Sequence, residues 1–397
     1  MDLISENLEP DGHSEIEETI IDDEDTSSGN IIITHPFSPS EIELISPSMN
    51  LGDLIDMLKH GEINLDTDFQ REGNLWEIQK QSRLIESVLL GLRLPAFYFE
   101  KVEKKKWDII DGLQRCWAIK NFCIDQSFSL TGLEFLKEFE GLLFHELDYD
   151  FQREIRRSQI TVNLLTIGVQ KRAKYILFQR LNTGGVELTP QEVRNAVFQG
   201  VAINTVKQMA KSVAFKNATG GKIPTKRKQD EDFVSRFIAF YLTDFNKYYP
   251  DLDTFINDNM ELLANLDQNE LEKLMSDFYR SMNLSFMIFG NDAYRKRNEK
   301  CATRKPINKA YFEVIAVNFA QLNNSEIESL KLNQELLKDN LITLMKNNRY
   351  WNSLSAGTGK KDSVSIRFSW FHETMKKSIN GKPIRITNDY KIEDSEL

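Results

Sequence analysis

Trp107-Asp108-Ile109-Ile110-Asp111-Gly112-Leu113-Gln114-Arg115 puts a carboxylate, a glycine, an amide and a guanidinium where a β-rich run gives way to a helical pattern through Cys116, Ile119 and Cys123. A strand-to-helix junction leaves backbone N–H groups unpaired at the helix start, and a glycine there lets a ligand approach the main chain. With Asp111 and Arg115 beside it, that is equipment for holding a phosphate or a similar anion. The same residues also describe an Asp capping a helix, a Gly making the turn and an Arg in a surface pair.

Several elements must position this junction. Asn50 can cap a helix through Leu51, Leu54, Ile55 and Leu58 that Gly61 closes, and an extended segment runs from Ile63 to Gln70 and Arg71. Ile78, Ile85, Val88 and Leu89 form a helical stripe from Glu77 to Leu90. Ala96 to Glu100 reads as a strand joined through Glu103-Lys104-Lys105-Lys106 to the strand ending at Asp111, which makes a hairpin. Glu103-Lys104-Lys105 fits the acid-x-lysine element of a metal-dependent nuclease, but no carboxylate precedes it on a neighbouring strand, and a solvated hairpin tip explains it better. Ser158 to Thr166 alternates as a half-buried strand. A helix with Val169, Ala173, Ile176, Leu177 and Leu181 on one face follows, ending at Gly184-Gly185. Thr189-Pro190-Gln191-Glu192 combines a capping box with Pro at the first helical position, so Arg194 and Asn195 sit in the opening turns of the next helix.

The chain has 397 residues, 41% of them apolar, and two domains are expected. Its net charge is -10, yet residues 1–30 hold eleven acids and no Lys or Arg, so taking those eleven away leaves the body at +1. The acidic segment 1–30 reads as a disordered tail. Ile31-Ile32-Ile33-Thr34 reads as an edge strand. The three cysteines, Cys116, Cys123 and Cys301, argue for a reducing compartment and against a disulfide framework. No basic, apolar leader opens the chain and no run of about 20 apolar residues could span a bilayer. A cytoplasmic protein without a membrane anchor is expected.

Past residue 200 strand signals fade. Helical patterns run over Phe233 to Leu242, Leu252 to Leu263, Leu271 to Met287, Ile307 to Ala320 and Ile327 to Met345, which describes an all-helical second domain without internal repeats. Gly357-Thr358-Gly359-Lys360-Lys361 departs from a phosphate loop at Leu354 and Lys361, and a flexible turn fits it better. His13, His35, His60, His145 and His372 are scattered and lack metal-ligand spacing.

Taken together, Phe69-Gln70-Arg71, Trp76, Ser82 to Ser87, Ile110 to Arg115, Phe178 to Gly185 and Gln191 to Ala196 resemble the N-terminal domain family of GmrSD-type modification-dependent restriction endonucleases, in order and in spacing, over residues 45 to 200. Phe289-Gly290 through Tyr294 to Pro306-Ile307-Asn308-Lys309 resembles the helical part that follows in many members. The resemblance implies an α+β chain. A tail at 1–30 would precede a small ParB/sulfiredoxin-like mixed α/β nucleotide-binding domain at 31–200, and a helical domain would fill 201–397. Asp111, Gly112, Gln114 and Arg115 match the family's Asp-Gly-Gln-Gln-Arg signature, which is associated with nucleotide binding and NTP hydrolysis; Leu113 stands where the first Gln often lies. Members that cut DNA usually carry a C-terminal His-rich nuclease module; with only scattered histidines, this chain is expected to be the nucleotide-sensing part without one, so that cutting would fall to a partner.

The resemblance implies that Asp111, Gln114 and Arg115 are catalytic, with Asp111 also holding Mg²⁺ or orienting the attacking water. Gln70, Arg71, Gly112, Arg180, Asn182, Arg194 and Asn195 would bind the nucleoside triphosphate. DNA and a separate nuclease or effector subunit are the further partners, and the oligomeric state stays open. Arg71, Arg180 and Arg194 have an equally weighted structural role as ion-pair partners of Glu86, Glu187 or Glu192. Losing Arg115 is expected to cost roughly tenfold in nucleotide affinity and little stability. A competing reading makes the chain a DNA-binding or adaptor protein that uses nucleotide only as a switch, with basic clusters at Arg153, Arg156 and Arg157, at Lys222 to Lys228 and at Arg295 to Lys305. A third reading is a scaffold that binds neither.

Overall fold

The computed structural model describes residues 16–17, 44–65, 76–103, 105–166, 171–181, 188–300 and 303–395. The tail apart from 16–17, the Ile31–Thr34 strand, and Gln70, Arg71, Asn182, Gly184, Gly185 and Glu187 lie outside the described residues. The chain divides into two compact units: residues 32–197, and residues 198–397 together with 1–31. The architecture is α+β, with a mixed α/β N-terminal region and a largely helical remainder. Among the described residues, no helix is long and apolar enough to cross a membrane.

Strand β1 (Ile16–Glu17) belongs to the second unit. In the first unit, β2 (Leu44–Ile45) and β3 (Ser48–Asn50) lead into α1 (Leu51–Lys59). Asn50 Oδ1 accepts from Asp53 N, and Asp53 Oδ2 accepts from Asn50 N, both at 3.0 Å. This reciprocal box satisfies two N–H groups that the helix itself leaves unpaired. After β4 (Ile63–Asn64) comes α2 (Ile78–Leu89), then the antiparallel hairpin of β5 (Phe97–Glu103) and β6 (Lys106–Asp111), and α3 (Leu113–Cys123). The unit finishes with α4 (Tyr149–Arg157), β7 (Gln159–Leu165), α5 (Lys171–Leu181) and α6 (Pro190–Val197).

The sheet order is β2-β7-β5-β6-β4, with β3 also paired to β7; β5 runs parallel to β7, and β4 parallel to β6. Parallel neighbours require crossover connections, and helices supply them. Phe97, Phe99, Ile109, Val162 and Leu164 are buried in one core with Leu54, Ile55, Ile85, Ile119 and Phe122 from the helices. Tyr98 and Glu100 alternate with the two phenylalanines and are only half-buried, so the other sheet face is polar. Lys174 of α5 reaches Glu100 on that face.

Glu86 stands on the core side of α2, buried, where sequence reasoning offered it as a partner for an arginine. Instead its carboxylate accepts three backbone N–H groups, from Glu134 (3.0 Å), Phe135 (2.7 Å) and Leu136 (2.9 Å), and so pins the connection between α3 and α4. Burial works against its charge, but the convergent donors outweigh burial and hold the carboxyl below its ordinary range.

The second unit contains α7 (Val201–Lys211), α8 (Val213–Ala218), α9 (Gln229–Leu242), α10 (Leu252–Ala264), α11 (Gln268–Phe289), β8 (Ile307–Asn308), α12 (Lys309–Ala320), α13 (Asn324–Leu332), α14 (Gln334–Met345), α15 (Asn348–Ser353) and α16 (Lys361–Ile379). β1 pairs in parallel with β8, and β9 (Ile384–Ile386) forms an antiparallel hairpin with β10 (Ile392–Asp394), so the unit is not wholly helical as expected. The Ile327–Met345 stretch is broken at Asn333, which caps the end of α13 and donates to the Ile379 carbonyl at 3.3 Å. The Gly357–Lys361 segment is not a free turn. Thr358 is buried and its carbonyl accepts from Arg367 Nη1 at 2.6 Å, while the Gly359 carbonyl accepts from the Tyr248 hydroxyl at 2.6 Å.

Glu86→Gln is expected to destabilise the protein by about 1.5–3 kcal/mol at neutral pH, read by urea unfolding, because a charged acceptor of three N–H groups is lost. A folded carboxyl pKa below the unfolded one gives stability that is present above the unfolded value and fades as pH falls through the folded value. Wild type and variant should therefore converge in acid; equal stability at neutral pH would refute the role.

Candidate functional site: the β6–α3 junction

Gly112 makes the junction possible. It is the N-cap of α3 with φ 106° and ψ 12°, in the left-handed region that side chains resist, and a Cβ there would lie 2.7 Å from Phe97 Cδ1 and 3.3 Å from Arg115 Nη2. Having no side chain, it offers no cap to the first turn of α3, whose N–H groups belong to the set a helix cannot pair internally.

Arg115 lies in the first turn of α3 and is almost fully buried. Its Nη1 donates to the Pro95 carbonyl, and its Nη2 donates to the Ala96 carbonyl at 3.2 Å and to Asp111 Oδ2 at 2.8 Å. The guanidinium also stands over the Phe97 ring, 4.5 Å from its centroid. The side chain therefore ties the start of β5 to the end of β6. Its five N–H donors are mostly turned to the protein.

Asp111 is 43% exposed at the side chain, against 10% for its arginine partner. Burial pushes its carboxyl above the ordinary carboxylate range, while the Arg115 charge and the Gly112 N–H pull the other way without reversing the shift. The result is a carboxylate that meets solvent on one side and takes up a proton more readily than a free one. Gln114 Oε1 accepts from Trp76 N at 3.2 Å, so this amide oxygen fixes the entry to α2. Leu113, at the position where the family pattern often has Gln, is buried in the core.

The structure gathers Asp111, Gly112, Gln114 and Arg115 within five residues. Arg180 is exposed near the end of α5. Arg194 and Asn195 are buried in α6, in a polar chain where Arg194 Nη1 donates to Gln191 Oε1 at 3.2 Å and Gln191 Nε2 donates to Asn195 Oδ1 at 3.0 Å. The expected box at the start of α6 is formed, with Thr189 N donating to Glu192 Oε2 at 2.7 Å and Glu192 N to Thr189 Oγ1 at 3.2 Å. That uses Glu192 as a cap. α5 packs on β6 and α6 packs on α5. Sequence reasoning missed the roles of Pro95, Ala96 and Phe97; the first two act through main-chain carbonyls, which every residue has. Cys116 and Cys123, in the same helix, have thiols pushed by burial up to about 12, which leaves them unreactive.

Among the described residues, no three His, Cys, Asp or Glu side chains converge into a metal-holding group. His60, His145 and His372 bond to Asp56 O, Gln126 Oε1 and Asn318 Oδ1 respectively. The basic clusters are partly absorbed by the fold. Arg156 Nη2 donates to both Asp56 carboxylate oxygens, at 2.9 and 3.1 Å, Arg153 pairs with Asp150 at 3.2 Å, and Arg295 and Lys296 are buried. Lys222 and Lys226 are exposed.

Two stability predictions follow from the geometry. Arg115→Ala orphans two carbonyls and a partly buried carboxylate, so it is expected to cost about 2–4 kcal/mol by chemical unfolding, against the small loss expected from sequence. Gly112→Ala combines a left-handed φ with a clash against Phe97 and is expected to cost about 2 kcal/mol or more. A melting temperature unchanged in both variants would overturn this account of the junction.

Residues 51–199 match the family model described as GmrSD restriction endonuclease, N-terminal domain, which covers α1 to α6 with the junction inside it. No curated protein and no solved structure matches the chain. The match supports the GmrSD restriction endonuclease N-terminal domain family for residues 51–199.

Proposed function

We propose that the β6–α3 junction binds a nucleoside triphosphate and hydrolyses it, and that the chain serves as the nucleotide-responsive part of a restriction system whose cutting is done by a partner protein. The observation that carries this reading is the left-handed Gly112 at an uncapped helix start beside a half-exposed Asp111 with a raised pKa. Main-chain N–H groups and the positive end of α3 suit a polyphosphate. Arg180, Arg194 and Asn195, with Gln70, Arg71 and Asn182, are the further binding residues of the proposal.

In the proposed reaction a water oxygen attacks the γ-phosphorus and its proton passes to an Asp111 oxygen. The bond from the γ-phosphorus to the β–γ bridging oxygen breaks, giving nucleoside diphosphate and phosphate. Gln114 Oε1 is engaged by Trp76 N, which makes Asp111 the group placed to take the proton. Arg115 holds one Asp111 oxygen and so fixes the direction of the carboxylate. A Mg²⁺ ion would be held by the nucleotide's own phosphates and water, and would supply charge neutralisation.

Calorimetric titration of the full chain with the four NTPs and Mg²⁺, followed by a phosphate-release assay, tests the reading. At least one NTP is expected to bind and turn over, and Asp111→Asn is expected to lower turnover about 10²-fold or more with a smaller effect on affinity. Absence of heat and of phosphate release for all four would overturn the proposal. Binding without turnover, with salt-sensitive retention of DNA, would support the DNA-binding switch instead.

A further inference from the structure

A cavity of about 140 Å³ lies within the second unit, between the end of α11, the following segment, α12 and α14. Protein interiors pack closely and keep few voids larger than a water molecule, so an opening of this size is a distinct feature. A cavity of about 150 Å³ accepts one benzene ring, which sets the scale: one aromatic ring fits and a whole nucleotide does not. Its wall is aromatic and aliphatic, with Phe289, Tyr294, Tyr311, Ile315 and Leu341 among the lining residues. Burial pushes the Tyr311 phenol up, so it stays neutral and able to donate.

The polar part of the lining is cationic: Arg295, Arg297 and Lys338 against the single carboxylate of Asp292. Asp292 is itself held by Arg297 at 3.0 Å and Arg304 at 3.7 Å. Arg295 is 4% exposed and is fixed in place by bonds to the Asn291 carbonyl (3.3 Å) and the Lys305 carbonyl (2.5 Å). Lys338 pairs with Glu335 at 2.7 Å, but that carboxylate side chain is 80% exposed, so the pair is weak and easily exchanged. Apolar walls with a few fixed polar groups are the usual make-up of a small-molecule site.

We propose that this cavity binds a single-ring aromatic anion, an aryl carboxylate or aryl phosphate, with its ring against Phe289, Tyr311 and Leu341 and its anionic group toward Arg295 and Lys338. The site lies in the helical unit and needs nothing from the β6–α3 junction. It would give the chain an input distinct from the triphosphate.

The test uses the full chain with benzoate and phenyl phosphate as probes, and with inorganic phosphate and toluene as controls, in calorimetric titration and thermal shift. Both aryl anions are expected to bind and to raise the melting temperature, each at least tenfold more tightly than either control. Ile342→Trp, which fills the half-buried edge of the cavity, and Lys338→Glu, which reverses a surface charge at its wall, are each expected to weaken binding at least tenfold. Lys338→Glu changes only a partly exposed side chain, so it keeps the test valid if the filled variant fails to fold. Lack of binding by both aryl anions, unchanged binding in a folded variant, or capture of a DNA strand without binding of the free aryl anions would overturn the proposal. Asp111→Asn is expected to leave aryl-anion binding unchanged, so the two sites stand or fall separately.

Discussion

The first unit depends on one guanidinium. Arg115 holds two consecutive carbonyls at the start of β5 and a carboxylate at the end of β6, while its flat face covers Phe97. Those contacts close the hairpin at the end where α3 begins, and they require that Gly112 carry no Cβ. Arginine suits this position better than lysine because its planar, forked donors can reach several acceptors at once while stacking on a ring. The arrangement also sets the chemistry of Asp111. A carboxylate with one oxygen on Arg115 is fixed in direction, yet burial still dominates its pKa. A carboxylate held in this way carries a burial cost that its arginine partner does not fully offset.

Much of the first unit is legible in the sequence because its signals are local. Asn50 with Asp53, and Thr189 with Glu192, announce helix starts by residue type and spacing, and both boxes form. The alternation in β7 and the stripe of α2 likewise follow from one-sided burial. What the residues could not declare was partnership. Glu86 and Arg115 both look like surface charges in a helical pattern, and each turns inward to main-chain groups that carry no sequence signature. Glu86 is close to several arginines in the linear text, but three amides from a segment almost fifty residues away claim it.

The second unit is less legible, for a different reason. The helix expected over Ile307 to Ala320 forms as α12, but it is buried around its whole circumference, from Ala310 to Ala320, so the sequence shows no polar face to say which side packs inward. α16 carries Ser365, Arg367, Ser369 and His372 among its apolar residues, which blurs its stripe, and it was not foreseen. Arg367 is buried completely and bonds Glu313 Oε2 at 2.9 Å, while Glu313 Oε1 accepts from Arg236 at 2.7 Å. A carboxylate between two guanidiniums, all deep in the helices, makes sense only once the helices are assembled.

This buried charge cluster also explains the Gly357–Lys361 segment. A guanidinium brought out of water needs acceptors in every direction, and the carboxylate of Glu313 covers only part of the Arg367 fork. The Thr358 carbonyl covers another part, which draws the segment against the start of α16 and buries Thr358. Gly357, with φ 56°, supplies the left-handed turn that this approach requires, and Tyr248 ties down the next glycine's carbonyl. Glycines that in the bare sequence suggest a phosphate cradle thus serve an internal cation. Both readings need the same property, a main chain that can come close to a charge, and only the sign of that charge distinguishes them.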